Sequence, residues 1–160
     1  MKLKTLTLIA ALACSSAYAQ TVEVKDAWVR TTVPGQNATG AFMKITAKDG
    51  AKLVAVASPA AGVTEVHEMK MDGDIMKMRA VSVLDIPAGK TLEFKPGGYH
   101  MMLMDLKAPL PKDSTVLLTL VFQDAKGVET KVELKVPVAA VAPGAKAGDM
   151  SAMDHGKHKH

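Results

Sequence analysis

The 160-residue sequence predicts an all-β, single-domain protein, an antiparallel sandwich or barrel. Three observations predict it. Short apolar and β-branched runs recur between Gly-, Pro- and Asp-rich punctuation. No stretch keeps the apolar period of an amphipathic helix. The last strong run alternates Val128, Thr130, Val132, Leu134 and Val136 with charged neighbours, which gives a strand one buried face and one wet face.

Taken in order, the first run, Thr21–Arg30, ends at the turn-rich "VPGQNATG". Ala41–Ala47 and Lys52–Ala57 flank "KDGA", a hairpin signal, and "SPAAG" closes the second of them. Thr64–Met71 and Ile75–Val83 flank "MDGD", and Asp-Gly is a preferred two-residue hairpin loop. "IPAGK" precedes Thr91–Phe94, and "KPGG" precedes His100–Leu106. After "APLPKDS", the runs Thr115–Gln123 and Val128–Val136 around "DAKG" form a terminal hairpin.

The two ends differ in composition from this body. "MKLKTLTLIAALACSSAYAQ" has two early lysines, a short apolar middle and a small-residue "AYA" site. It reads as a secretory signal, residues 1–19, cleaved after Ala19, with export to the periplasm. The "AYA" site accounts for the region better than acylation at Cys14 does. Residues 20–138 make the domain. Residues 139–160, "AAVAPGAKAGDMSAMDHGKHKH", are too poor in large apolar groups to order themselves and read as a flexible tail.

Several function classes drop out. Cys14 is the sole cysteine and lies in the signal, so the mature chain has no disulfide, thiolate metal site or cysteine nucleophile. Without Lys2 and Lys4, 18 basic side chains face 16 acidic ones, and no basic run interleaves with aromatics; nucleic acid is not expected as a partner. No segment is long and apolar enough for stable membrane insertion.

Methionine carries the positive signal. Seven of the 11 methionines fall between Met69 and Met104, together with His67 and His100. A single methionine in a strand usually fills core gaps. By itself His67 is free to pair with Glu65 or a lysine, and His100 to bond a loop backbone. With Asp72-Gly73 as the hairpin loop, Met69 faces Met76, Glu68 faces Lys77 and His67 faces Met78. Opposed residues share a sheet face closely enough for both to reach one ion. Glu68 and Asp74 are read as solvated charges and Trp28 as a packing residue. In the next strand His100 and Met102 share a face, Met101 and Leu103 the other, and the preceding "PGG" places His100 at an accessible strand end. Two histidines and two methionines would form a soft N₂S₂ site. Thioether selects Cu(I), and imidazole accepts both copper states. Which of Met69, Met76 and Met78 takes part is left open by the residues themselves.

The spacing His67, ten residues, Met78, twenty-one residues, His100, one residue, Met102 resembles that of the periplasmic copper chaperone PCu(A)C family. The surrounding "HEMKMDG", "MKMR", "IPAGKTLEFKPGGYHMMLMDLK" and "LTLVF" fit it, and the resemblance runs from Ala27 to Val138. It implies a cupredoxin-like Greek-key β-barrel that carries one Cu(I) on His67, Met78, His100 and Met102. It also implies delivery to the copper sites of cytochrome c oxidase, alongside Sco-type copper proteins. The expected role is therefore a carrier and not an enzyme. A copper electron-transfer or redox protein is the alternative; against it stand the missing cysteine ligand and a ligand set that leaves no open position.

The tail departs from the shared domain. Met150, Met153, His155, His158 and His160 are expected to form a second, weaker site, with Cu(II) preference because imidazole dominates its last residues. It should fade as pH falls through about 6.5, where free imidazoles protonate.

Overall fold

The computed structural model describes residues 22–144. Ten strands follow in chain order: β1 Val22–Arg30, β2 Ala38–Ala47, β3 Ala51–Ala57, β4 Ala61–Asp72, β5 Ile75–Val81, β6 Leu84–Ile86, β7 Thr91–Phe94, β8 Tyr99–Leu106, β9 Thr115–Gln123 and β10 Glu129–Ala139. No helix occurs among the described residues, so none there is long and apolar enough to cross a membrane.

The strands hydrogen-bond into one sheet in the order β5-β4-β8-β7-β2-β1-β10-β9-β3-β6, with β8 also pairing β2. The sheet has two halves, joined where β1 runs parallel to β10 through Val29–Val138 and Arg30–Ala139. It curls so that the halves face one another. Val29, Met43, Val66, Met101 and Leu103 of the first half share one buried cluster with Leu53, Leu118, Leu120, Phe122 and Val136 of the second. Each such side chain contributes about 1.5–3 kcal/mol by leaving water, and alternation along the strands sends their neighbours outward.

The terminal hairpin pairs Val132 with Leu120, Leu134 with Leu118 and Val136 with Val116, in keeping with its alternation. Several boundaries differ from expectation; β4 begins at Ala61, not Thr64, and β10 ends at Ala139, not Val136. The second half of "VPGQNATG" is strand, because Ala38, Thr39 and Gly40 pair with Met104, Leu103 and Met102 of β8; tertiary pairing overrides the turn propensity of Asn and Gly. The expected run to Val83 stops at Val81. The short β6 then pairs with β3, burying Leu84 and Ile86 and leaving Asp85 to meet Lys52 at 3.6 Å.

A bulge in β1 controls what the outer face of the first half presents. Register shifts between Lys25 and Trp28, and Asp26 within it has φ +53°, a conformation that Asp tolerates better than most residues. The extra residue reverses the alternation. Val29 therefore points into the core, and Trp28 lies outside against Phe42, ring centroids 4.9 Å apart.

Candidate metal centre

β4, β5 and β8 bring the predicted residues onto the outer face of the first half-sheet. His67 of β4 lies directly opposite His100 of β8, with ring centroids 5.9 Å apart at 71°. Met102, two residues on from His100, shares its face and pairs with Glu65 on one side and Gly40 on the other. Met101 and Leu103 point into the core, as alternation requires.

The hairpin register corrects the sequence reading. His67 is opposite Ala80, not Met78; Met78 pairs with Met69, and Met71 with Met76. The two-residue loop is Gly73-Asp74, with positive φ at Gly73 (+63°) and not at Asp74. A Gly at the first central position is the type II′ solution, which competes with the Asp-Gly type I′ solution for the same four residues. Moving the loop by one residue shifts each partner by two, so every side chain keeps its face. His67, Met69, Met76 and Met78 still share one face, and Met78 lies diagonal to His67, within reach of a long side chain.

The imidazoles are held by acceptors. His67 Nε2 is 2.9 Å from Glu65 Oε2, and His100 Nδ1 is 3.1 Å from the Gly98 carbonyl. Neither oxygen can donate, so in the neutral rings those nitrogens carry the hydrogens. The lone pairs are then left on His67 Nδ1 and His100 Nε2. His67 Nδ1 is buried and has no hydrogen-bond partner, an uncommon state for a buried polar atom unless a ligand fills it. The Gly98 carbonyl sits in the tight turn Lys95–Gly98 and also accepts the Met69 amide at 3.2 Å, which fixes the turn against β4.

An open cleft of about 350 Å³ covers this face, lined by Met69, Met78, His100 and Met102 with Arg30, Phe42, Pro96 and Gly97. Its wall is aromatic. Arg30 lies 5.3 Å from the Phe42 ring centroid, and the Phe42 ring lies so close over Gly40 that a Cβ there would meet its tip at 2.9 Å. His100 is 7 % exposed, so the expectation of an accessible histidine fails: its ring is held by the Gly98 carbonyl on one side and lies against His67 of β4 on the other. Exposure falls instead to Met78, at 50 %.

Charge is kept to the far side of the hairpin. Arg79 donates to Glu68 from Nε at 3.0 Å and Nη2 at 2.9 Å, and Lys77 meets Asp72. Glu68 is thus a clamp between strands, not the solvated charge expected. Hydrogen bonds from Arg79, and a further one from Tyr99, hold its carboxyl below the ordinary range despite some desolvation. Burial, and then the bond to Glu68, push the Tyr99 hydroxyl up. Among the described residues no three His, Cys, Asp or Glu side chains gather as a metal site. The donors on offer are imidazole and thioether, the set suited to a soft monovalent ion. The two contacts open to the histidines from the sequence, Glu65 for His67 and a loop backbone for His100, are both present; the close approach of Phe42 over Gly40 had no signal in the sequence. Met150, Met153, His155, His158 and His160 lie outside the described residues.

The LpqE-like family model, described as "Putative lipoprotein LpqE-like", matches residues 22–138. "Putative lipoprotein Lxx21020" of Leifsonia xyli subsp. xyli (strain CTCB07) is 37 % identical over 115 residues, covering 71 % of this chain and 69 % of that protein. Among solved structures, the copper-bound PCuAC domain from PmoF2 superposes with a TM-score of 0.61 at 22 % identity, covering 78 % of this chain and 97 % of that domain. The solution structure of apo-DR1885 from Deinococcus radiodurans gives 0.55 at 32 % identity, covering 86 % and 94 %. Its Cu(I) form, CuI-DR1885, gives 0.54 at 28 % identity, covering 80 % and 83 %. The fold is all-β and cupredoxin-like, as is that of the PmoF2 PCuAC domain.

Proposed function

This chain belongs to the LpqE-like family, and from that premise we propose that it is an exported copper carrier. It binds one Cu(I) through His67, Met78, His100 and Met102 and delivers it to other copper proteins. The observation that carries this reading is the opposed imidazole pair. His67 and His100 each have one ring nitrogen held by an acceptor and one left for a ligand, next to thioethers on the same face. The solved Cu(I) form of a 28 %-identical neighbour supports copper as the ion.

The site's chemistry suits transport. Neutral thioethers and imidazoles neutralise none of the ion's charge, so the complex is held by soft donor bonds alone. Met78 is half exposed and can be displaced first by an incoming ligand, while the buried His100 keeps hold. Glu65 and the Gly98 carbonyl orient the rings and fix their tautomers. Delivery to cytochrome c oxidase copper sites, with Sco-type proteins as co-workers, is proposed as the destination. The tail residues Met150, Met153, His155, His158 and His160 are proposed as a second site that favours Cu(II).

Cu(I) titration of the full chain against a competing chelator, without oxygen, tests the function. One tightly held equivalent is expected, retained when the tail is removed. In Met78→Leu with Met102→Leu, tight binding should vanish while stability changes by less than about 1.5 kcal/mol, since Leu and Met exchange well. An unchanged affinity in that folded variant would contradict the ligand assignment.

A further inference from the structure

The β4–β5 hairpin carries more thioether than one ion needs. Met69 pairs with Met78 and, one rung further out, Met71 pairs with Met76, all on the face that carries His67. Met71 is 56 % exposed and Met76 50 %, so neither packs a core as the buried Met43 and Met101 do. β5 pairs only with β4, so nothing among the described residues covers this edge of the sheet. The charged side chains Glu68, Lys70, Lys77 and Arg79 lie on the opposite face, away from the Met71–Met76 pair.

We propose that Met71 and Met76 form an outer Cu(I) site and that the thioether ladder Met71/Met76, then Met69/Met78, is the route between solvent and the imidazole pair. This rests on the Cu(I) reading of the inner site and adds a second, separable one. Directly opposed residues on a strand pair have Cβ atoms about 5 Å apart, and each methionine adds a flexible arm that brings sulfur to a shared ion. Successive rungs lie about 7 Å apart along the strands, so an ion can gain a sulfur on one rung before it loses the last on another. Each step is ligand exchange: a Cu(I)–S bond forms as another breaks, the ion stays monovalent, and no proton moves. The outer pair lacks imidazole and should hold the ion more weakly than the inner site, as an entry point requires.

Methyl-¹³C methionine NMR of the full chain, titrated with Cu(I) under ascorbate without oxygen, reads each methionine separately. The first equivalent should shift Met78 and Met102, and the second Met71 and Met76. Met71→Leu with Met76→Leu should remove the second response, alter first-equivalent affinity by no more than about twofold, and slow Cu(I) uptake from a chelator severalfold. If Met71 and Met76 stay silent through excess Cu(I), or if the second equivalent moves only Met150 and Met153, the outer site is wrong. A shift at Met71 and Met76 that follows protein concentration without copper would identify the face as a self-association surface and overturn it as well. Silence at Met78 and Met102 on the first equivalent would instead overturn the inner site, whatever the outer pair does.

Discussion

Glu65 orients His67 across 2.9 Å, and losing that contact should cost affinity without costing the fold. Glu65→Ala is expected to weaken Cu(I) binding by about 10–100-fold, the range for an outer hydrogen-bond partner of a ligating histidine, and Glu65→Gln, which can still accept from Nε2, should recover most of it. ¹⁵N imidazole spectra check the cause: wild type should show His67 protonated at Nε2, and Glu65→Ala a mixture of tautomers. Gly40 makes a second point at this scale. Its missing Cβ leaves room for Phe42, whose ring is held by Trp28 and Arg30. Gly40→Ala should therefore destabilise by about 1–3 kcal/mol, read as a lower midpoint in denaturant. The candidate ligands were legible in the sequence because strand alternation already places His100 with Met102, and His67 with Met69, Met76 and Met78 of the hairpin. The burial of His100 was not legible. It depends on how the Lys95–Gly98 turn folds back on β4, and a neighbouring glycine pair reads equally as an open loop end.

Between strands, the hairpin shows which part of a register can be read and which cannot. Face assignment survived because the alternative turns at Asp72–Asp74 differ by a shift of two in partner number; the opposite partner of His67 did not, because Asp-Gly and Gly-Asp loops compete for the same residues. In the observed register Glu68 meets Arg79 across β4–β5 and Tyr99 across β4–β8, so one carboxylate ties together the three strands that carry the ligands. Its folded pKa lies below the ordinary 4.5, with the Arg79 hydrogen bond as the largest cause. The unfolded chain therefore binds that proton more readily. The stabilisation is complete above the ordinary value and is lost as pH falls through the lower folded one. Protection of the β4 and β5 amides, corrected for the intrinsic pH dependence of exchange, should fall on acidification in that window, and Glu68→Gln should remove that acid step. An acid step of the same size in Glu68→Gln would assign it to other carboxylates.

Across the whole molecule, the all-β class was readable from punctuation and alternation, whereas the order of strands was not. The parallel β1–β10 contact that joins the halves involves two residue pairs from opposite ends of the domain, and no local pattern announces it. The chain's two ends carry their own tests. With removal of the signal after Ala19, the exported protein should have the mass of a chain beginning at Gln20; a mass fitting an acylated Cys14 would replace that reading with an anchored one. Truncation after Val141 should remove one Cu(II) equivalent and leave Cu(I) binding intact, and an unchanged Cu(II) count would remove the tail site. Around these ends the central claim concerns one face of one half-sheet, where β4, β5 and β8 set two imidazoles among thioethers. Copper K-edge X-ray absorption of the full chain loaded with one equivalent of Cu(I) tests it most directly. The account predicts a first shell of nitrogen and sulfur in equal number; a wild-type shell without sulfur, or one without nitrogen, would contradict it.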